Sequence, residues 1–140
     1  MTKGPIVIIE DDLDDQEMYT EAIKAIGIPN EIRLFNGATE ALDYLASTYE
    51  QPFLILSDIN MPGMSGLELK RILEDDPYLA SKGMPFVFIS TNASNVTVRH
   101  AHALSVQGYF EKPQRLEDLK SMFKILFDYW ELSKHINNTQ

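Results

Sequence analysis

The sequence contains no cysteine, which excludes a disulfide scaffold, a thiolate nucleophile and a cysteine-ligated metal. No apolar run approaches the ~18–20 residues of a membrane span, and the short apolar stretch Pro5–Ile9 leads straight into acidic residues, unlike a signal peptide. Basic residues are scarce, since 12 Lys and Arg face 21 Asp and Glu, for a net charge of −9. This charge repels phosphate backbones, so we expect no direct nucleic-acid binding. With no membrane segment, the sequence predicts a soluble cytoplasmic protein.

The chain is long enough to form one domain with its own hydrophobic core. It has 140 residues, of which 44% are hydrophobic, and this argues against disorder. We expect a single domain over residues 1–140, with a core at about 4–127 and a C-terminal helix that extends to about 135. The charge is uneven, because residues 1–21 hold seven acids and one base and thus six of the nine net negative charges. Such a local excess of acids calls for a structural or chemical cause.

Short apolar runs alternate with helical patterns along the chain. Continuous β-branched and aromatic runs are typical of strands buried on both faces, whereas apolar residues three and four apart are typical of helices. Five helices are expected, the third stopping around Asp76 and Pro77 and the last running from Arg115 to about His135. The alternation predicts an α/β fold, a doubly wound five-stranded parallel sheet with helices on both faces. The predicted strands are Pro5–Ile9, Glu31–Phe35, Pro52–Leu56, Pro85–Ile89 and Val106–Phe110.

Polar residues at the predicted strand ends define a candidate site, since such folds bind ligands beyond the carboxyl ends of their strands. The carboxylates of Glu10, Asp11 and Asp58 would meet there, with the hydroxyl of Ser90 and the ammonium of Lys112. Two like charges ~4 Å apart repel by roughly 4 kcal/mol at an effective dielectric constant of 20. A hard divalent cation relieves this repulsion, and oxygen ligands favour Mg²⁺ or Mn²⁺. A carboxylate beside such an ion is suited to phosphoryl transfer, with the lysine charge directed at phosphate oxygens.

Four segments carry a resemblance to a known family: IVIIEDD at 6–12, LSDINMPGMSG at 56–66, FVFIST at 86–91 and GYFEKP at 108–113. Over nearly its whole length the chain resembles a response-regulator receiver domain of two-component signalling. The resemblance implies a flavodoxin-like receiver topology and a stand-alone receiver phosphorylated by a sensor histidine kinase or a histidine phosphotransfer protein. Its output would pass to a downstream protein target, and it would be a signalling receiver rather than an enzyme. The long apolar last helix resembles regulators paired with phytochrome-type kinases, while chemotaxis-type and relay regulators remain alternatives.

The resemblance implies a role for each matching residue. Asp58 is similar to the family's phosphoacceptor, Asp11 to its direct Mg²⁺ ligand and Glu10 to the ligand that acts through water. Asn60 is expected to offer its backbone carbonyl to the metal, and it holds one of two positions that tune dephosphorylation. Lys112 resembles the family's lysine, whose bond to the following proline is often cis.

Other matching residues concern the switch that follows phosphorylation. Ser90 and Tyr109 match the family's switch pair, in which the hydroxyl moves to the phosphoryl group and the aromatic ring turns inward. Asn92 holds the second position that tunes dephosphorylation. Three residues depart from the usual pattern: Ser90 stands for the commoner threonine, Thr91 for an alanine and Ser105 for a glycine. The last two bear on loop geometry and on the lifetime of the phosphorylated state.

Two other functions are weighed against a receiver. An aspartyl-phosphate phosphohydrolase of the haloacid-dehalogenase type needs a second aspartate two residues after its nucleophile, and Asn60 stands at that place. A phosphorylation-independent interaction module would have no need of the intact acidic residues, hydroxyl and lysine.

Several polar residues have structural explanations that need no ligand. We expect Asp12, Asp14 and Asp15 to cap the first helix and to favour its dipole rather than to bind metal. His100 and His102 are two apart on a predicted helix, so they face different sides and are expected to be solvated or to face a partner.

The last predicted helix has two apolar stripes, where one is enough to cover a sheet. The second stripe indicates either a broad core contact or a surface for a partner, including a homodimer. The core-facing stripe is Leu116, Leu119, Phe123, Leu126 and Trp130, and the second is Met122, Ile125, Tyr129, Leu132 and Ile136.

Overall fold

Strands and helices alternate through residues 4–92 and 94–134, the parts of the chain that the computed structural model describes. Each strand has four or five residues, and the helices lie between them. The elements are β1 (Ile6–Ile9), α1 (Leu13–Ala25), β2 (Ile32–Phe35), α2 (Ala38–Ser47), β3 (Leu54–Ser57), α3 (Gly66–Asp75), α4 (Pro77–Ser81), β4 (Phe86–Ser90), α5 (Asn95–Ala103), β5 (Gly108–Glu111) and α6 (Leu116–Leu132).

The five strands form one sheet in the order β2-β1-β3-β4-β5. Every neighbouring pair is parallel, so each connection crosses over the sheet and returns to the same end. The order reverses between β1 and β3, which opens a crevice at the carboxyl edge where ligands bind in folds of this kind. The predicted doubly wound α/β fold is therefore confirmed.

Side chains of each central strand alternate between the two faces of the sheet, and each face is covered by helices. On β1, Ile6 and Ile8 pack with α1 and α6, whereas Val7 and Ile9 pack with α2, α3 and α5. All four are fully buried. Burial on both faces explains why the strand reads as a continuous apolar run instead of an alternating one.

Helix α4 is an element that the sequence prediction missed. Helix α3 ends at Asp75, near the predicted stop, but a new helical turn starts at Pro77. The Asp76 side chain caps it by accepting hydrogen bonds from the backbone N–H groups of Tyr78, at 2.9 Å, and Leu79, at 3.1 Å. An aspartate followed by proline is a favourable start for a helix, because proline at the first position gives up an N–H that would be unpaired anyway. The same two residues thus end one helix and begin the next.

The last helix is shorter than predicted. It begins at Leu116, with Arg115 as its N-terminal cap, and ends at Leu132. At Ser133 the backbone becomes extended, with φ −70° and ψ 137°, so the helix does not reach the predicted end near His135, which lies outside the described residues. Within the described ranges, no helix is both long and apolar enough to cross a membrane.

The two stripes of α6 have different environments. The first stripe is in the core, where Leu119, Phe123, Leu126 and Trp130 are buried and Leu116 packs beside them. In the second stripe Met122 packs against the core, whereas Ile125 is 72%, Tyr129 59% and Leu132 82% exposed; Ile136 lies outside the described residues. The explanation of the second stripe as a broad core contact is therefore wrong for these three exposed side chains.

Ser105 lies just after α5 in a left-handed backbone conformation. Its φ is 61°, the one positive φ of a non-glycine residue within residues 4–92 and 94–134. Its N–H donates to the carbonyl of His102 at 3.0 Å, as the residue after a helix end commonly does. A side chain in this conformation clashes with its own backbone at a cost of roughly 1–2 kcal/mol. The departure from glycine noted in the sequence therefore carries strain.

We expect Ser105→Gly to stabilise the protein by about 1 kcal/mol, because glycine relieves the left-handed strain at a smaller cost in chain entropy. Urea unfolding followed by circular dichroism measures the change. Ser94→Gly is the matched control, since Ser94 has φ −64° and caps α5, and it should lower the free energy of unfolding slightly. Equal effects of the two substitutions would contradict the strain argument.

Candidate functional site

The first residues after three of the strands lie side by side at the carboxyl edge of the sheet. Backbone hydrogen bonds continue the parallel ladder beyond the strand ends, with Asp58 N donating to Ile9 O at 3.0 Å and Lys112 N donating to Ser90 O at 2.9 Å. These bonds fix the backbone from which the site's side chains project. The structure therefore brings together the strand-end residues that the sequence analysis singled out.

Three carboxylates form a cluster at this edge. Glu10, Asp11 and Asp58 each offer an oxygen, and these oxygens all lie within 4.8 Å of one another. Glu10 is 1% exposed, whereas Asp11 is open to solvent. An all-oxygen cluster of this kind suits a hard divalent cation.

His100 and His102 are exposed on α5, in agreement with the expectation that they are solvated.

The loop after β3 holds Asp58 in place. One carboxylate oxygen accepts a hydrogen bond from the backbone N–H of Ile59 at 2.7 Å, and the Ser57 hydroxyl donates to the Asp58 carbonyl at 2.7 Å. The backbone of Gly66 packs closely against that of Asp58, since a Cβ at Gly66 would lie 2.2 Å from the Asp58 carbonyl oxygen. Only glycine permits this approach of backbone to backbone. Asn60 lies exposed in the same loop, and its contribution of a carbonyl to the metal stays a prediction.

Lys112 reaches into the cluster from the end of β5. Its ammonium donates hydrogen bonds to Glu10 Oε1 at 3.0 Å and to Asp15 Oδ2 at 2.9 Å, and it lies 3.6 Å from Asp58 Oδ2. Its side chain is only 12% exposed, so these contacts are poorly screened by water. No cis peptide bond occurs in the described part of the chain, so the bond from Lys112 to Pro113 is trans, unlike the cis form common in the family.

The first turn of α1 contributes to the site in a way that sequence reasoning missed. Asp12 caps the helix as predicted, accepting a hydrogen bond from Asp15 N at 3.1 Å. Asp14 is exposed, in agreement with a role in the helix dipole alone. Asp15 instead pairs with Lys112. A sequence signal existed, since side chains of a helix lean toward its N-terminus and this end of α1 follows directly after β1.

The predicted switch residues, Ser90 and Tyr109, lie on β4 and β5. The Ser90 hydroxyl is buried and accepts a hydrogen bond from Asn92 N at 3.1 Å. The Tyr109 hydroxyl donates to the backbone carbonyl of Asn92, and its ring lies 6.1 Å from that of Phe88. The Tyr109 ring is thus turned inward, and partial burial raises the pKa of its hydroxyl. The Asn92 side chain is engaged by the backbone N–H of Ser94 at 3.1 Å.

Burial and charge act in opposite directions on the two most enclosed ionisable groups. Burial raises the pKa of Glu10 from its ordinary value of 4.5 to about 7, in spite of the hydrogen bonds from Asp12 and Lys112. Burial alone would lower the pKa of Lys112, but the hydrogen bonds to Asp15 and Glu10 outweigh it, and the pKa is raised. The lysine therefore stays an ammonium at neutral pH. Without a bound cation, the carboxyl of Glu10 therefore titrates near neutral pH, with a pKa of about 7.

The fold and the site together define a class of protein, a parallel α/β domain with an acidic pocket and a lysine at the carboxyl edge of its sheet. The sequence profile of the response regulator receiver domain matches residues 6–124. The chain belongs to this family. It accordingly has a phosphoryl-accepting role in two-component signalling. Receiver domains interact with histidine kinases or phosphotransfer proteins and with downstream targets.

Individual relatives support the same assignment. The chain is 28% identical to the response regulator Rcp1 of Synechocystis sp. over 130 residues, which cover 89% of this chain and 87% of Rcp1. The phosphorylated cyanobacterial phytochrome response regulator RcpA superposes with a TM-score of 0.84 at 28% identity, covering 95% of this chain and 97% of RcpA. The Mn²⁺-bound form of Rcp1 superposes with a TM-score of 0.81 at 25% identity, covering 94% and 97%.

The raised pKa of Glu10 predicts the pH dependence of stability in metal-free buffer. The folded state binds the proton with a pKa of about 7 and the unfolded state with a pKa near 4.5, so this stabilisation is full below 4.5 and is lost as the pH rises through about 7. The free energy of unfolding should fall across this window by up to about 3 kcal/mol from this group.

Urea unfolding with a chelator, at several values between about pH 5 and pH 8, tests this dependence. Glu10→Gln should flatten the curve, because glutamine has no proton to lose. Glu17→Gln is the matched control on an exposed position of α1 and should leave the slope unchanged. A wild-type slope that persists in Glu10→Gln would assign the dependence to other groups.

Proposed function

We propose that Asp58 accepts a phosphoryl group from a sensor histidine kinase or a histidine phosphotransfer protein in a Mg²⁺-dependent reaction. The observation that carries this proposal is the convergence of Glu10, Asp11 and Lys112 on the Asp58 carboxylate. Asp58 is fixed by the hydrogen bond from Ile59 N and yet remains at the solvent edge of the pocket. A donor can therefore approach an oriented nucleophile.

The donor set fits a hard divalent cation. Glu10, Asp11 and Asp58 would hold it, with the Asn60 carbonyl as a further ligand, and the close approach of the three carboxylates is the observation that favours such an ion. When bound, the ion supplies positive charge that neutralises the carboxylates and stabilises phosphoryl oxygens. The Mn²⁺-bound form of Rcp1 supports a divalent metal in a related protein. We favour Mg²⁺, with Mn²⁺ as a substitute.

The transfer itself is a displacement at phosphorus. An oxygen of the Asp58 carboxylate attacks the phosphorus atom, a new P–O bond forms, and the bond from phosphorus to the donor breaks with its electron pair leaving on the donor. The Lys112 ammonium lies 3.6 Å from Asp58 Oδ2 and would bind an oxygen of the transferred group. The Ser90 hydroxyl, which accepts from Asn92 N and also hydrogen-bonds with Tyr109, would turn its proton to another phosphoryl oxygen.

We also propose that Ser90 and Tyr109 couple phosphorylation to a protein-interaction surface. Ser90 Oγ and the Tyr109 hydroxyl both bond to the backbone of Asn92. A movement of the Ser90 hydroxyl toward a phosphoryl group would shift this loop and the tyrosine bound to it. The half-buried position of Asn92 in the loop after β4, bonded to both Ser90 and Tyr109, supports a role in the rate of dephosphorylation.

The remaining parts of the proposal concern the protein as a whole. We propose one receiver domain over residues 1–140, located in the cytoplasm, that acts on no separate substrate. A phosphohydrolase and a phosphorylation-independent interaction module are not favoured by membership in the receiver family. The similarity to RcpA, a phytochrome response regulator, favours a phytochrome-type kinase as donor. Chemotaxis-type and relay donors are the alternatives that transfer assays with purified kinases would distinguish.

We expect incubation with acetyl phosphate and Mg²⁺ to add the mass of one phosphoryl group, measured on the intact protein. Asp58→Asn should abolish the adduct, because an amide oxygen is a poor nucleophile for phosphorus. A chelator should abolish it as well, because the carboxylates then repel the phosphodonor. Asp14→Asn, the same change at an exposed position of α1, should still form the adduct. An adduct retained in Asp58→Asn would overturn the assignment of the acceptor.

We further propose that the exposed stripe of α6 is an interface with a second copy of this chain. Ile125, Tyr129 and Leu132 present apolar side chains at helical spacing. Beside them, the rings of Phe110 and Trp130 line a groove of about 280 Å³ between β5 and α6. Apolar side chains grouped in this way are typical of protein contact surfaces.

Sedimentation velocity at several concentrations, with and without a phosphate analogue, tests the dimer. We expect a concentration-dependent dimer that Ile125→Ser weakens by at least about fivefold, because a central apolar anchor commonly contributes more than 1 kcal/mol to an interface. Tyr49→Ser is the control, since Tyr49 is a fully exposed aromatic residue outside α6. A monomer under every condition would overturn the proposed dimer.

A further inference from the structure

The Lys112 ammonium is bonded by two carboxylates, and one of them, Asp15, belongs to α1. Its ammonium has three N–H groups, and hydrogen bonds to Glu10 at 3.0 Å and Asp15 at 2.9 Å use two of them. Asp58 at 3.6 Å is too distant for a hydrogen bond. The third N–H group is therefore left for the acceptor side of the pocket. The two bonded carboxylates come from different elements, the end of β1 and the first turn of α1.

Asp15 is itself well anchored. Its backbone N–H donates to the Asp12 side chain, which caps the helix. A second contact fixes the same helix end against β1, because the side-chain amide of Gln16 donates to the Glu10 carbonyl and to Asn36. The Asp15 carboxylate thus stands on a rigid backbone, at a fixed position relative to Glu10. Its neighbour Asp14 has the same charge but is exposed.

A lysine without such a second contact would be poorly oriented. Its side chain has four rotatable bonds, and a single hydrogen bond to Glu10 leaves the ammonium free to pivot. Phosphoryl transfer depends on donors that already point at the developing charge, since reorientation during the reaction raises the barrier. A second contact such as that with Asp15 would remove this freedom before the phosphodonor arrives.

We propose that Asp15 is a positioning residue, which acts through Lys112 by holding its ammonium between Glu10 and the acceptor Asp58. The inference rests on the proposed roles of Asp58 and Lys112. The alternative to positioning is competition, in which the Asp15 carboxylate draws the Lys112 ammonium away from the phosphoryl group and slows the reaction. Positioning and competition predict changes of opposite sign when the side chain is removed, so one measurement separates them.

The test is the initial rate of adduct formation with acetyl phosphate at saturating Mg²⁺, followed by intact mass. We expect Asp15→Ala to slow phosphorylation by about fivefold to tenfold, because the ammonium is no longer oriented. Tenfold corresponds to about 1.4 kcal/mol of transition-state stabilisation. Asp15→Asn should recover most of the rate, within about twofold or threefold of wild type, because its amide oxygen still accepts a hydrogen bond from the ammonium.

Two controls separate positioning from charge and from folding. Asp14→Ala removes the same charge one residue away and should leave the rate unchanged. Circular dichroism and the free energy of unfolding show whether each variant is folded, and Asp15→Asn preserves the size of the side chain in case alanine disturbs the helix. An Asp15→Ala rate equal to or faster than wild type would overturn the inference, and a faster rate would assign competition instead.

A double-mutant comparison tests whether Asp15 acts through Lys112. In a Lys112→Gln background the slow rate should not fall further when Asp15 is replaced, because no ammonium remains to be positioned. A second fall by the same factor would show that Asp15 acts independently and would overturn the inference. If wild type gains an adduct that Asp58→Asn lacks, the proposed function holds whatever Asp15 does. If wild type gains none, both proposals fail.

Discussion

The repulsion between carboxylates at the carboxyl edge of the sheet is the constraint on which the rest of the site depends. At separations up to 4.8 Å, two such charges repel by roughly 3.5 kcal/mol at an effective dielectric constant of 20. Glu10 is buried, so the solvent does little to relieve it. Lys112 supplies one positive charge for four nearby carboxylates, counting Asp15. The pocket therefore carries an excess of negative charge, which fits the binding of a divalent cation.

The rigid sheet holds these carboxylates together against their mutual repulsion. Parallel strands buried on both faces are rigid, and their hydrogen bonds extend past the last strand residues to Asp58 and Lys112. In a flexible loop the carboxylates would move apart, but here the backbone hydrogen bonds of the sheet keep them close together. The stability of the apolar layers on both faces thus offsets the electrostatic cost at one edge. The same reasoning explains why Gly66 matters, because the loop can carry Asp58 at this edge only if its backbone passes within contact distance.

Strand-end chemistry was predictable from the sequence, whereas contacts that depend on helix geometry were not. Glu10, Asp58 and Lys112 follow apolar runs directly, and a parallel sheet brings such residues to one edge whatever its details. The order of β1 and α1 places Asp15 near the end of β1, but a linear pattern does not specify how far its side chain reaches toward β5, where Lys112 lies. The turn of α4 and the end of α6 at Ser133 depend on local caps and backbone angles, to which hydrophobic spacing is insensitive. For Ser105, the sequence showed only that a serine stands where a glycine is usual, and it did not predict the left-handed backbone.

Five of the seven acids in the first 21 residues differ in what their carboxylates contact. Glu10 and Asp11 face the candidate metal position, Asp12 caps α1, Asp15 pairs with Lys112, and Asp14 is solvated. Each of these uses a carboxylate for a different reason, and they are adjacent because β1 ends where α1 begins. A single helix start therefore links the backbone cap to the contact between Asp15 and Lys112, and it lies directly beside the proposed cation site. Since Asp12 holds the backbone N–H of Asp15, a change in this turn reaches the acceptor without any direct contact with it.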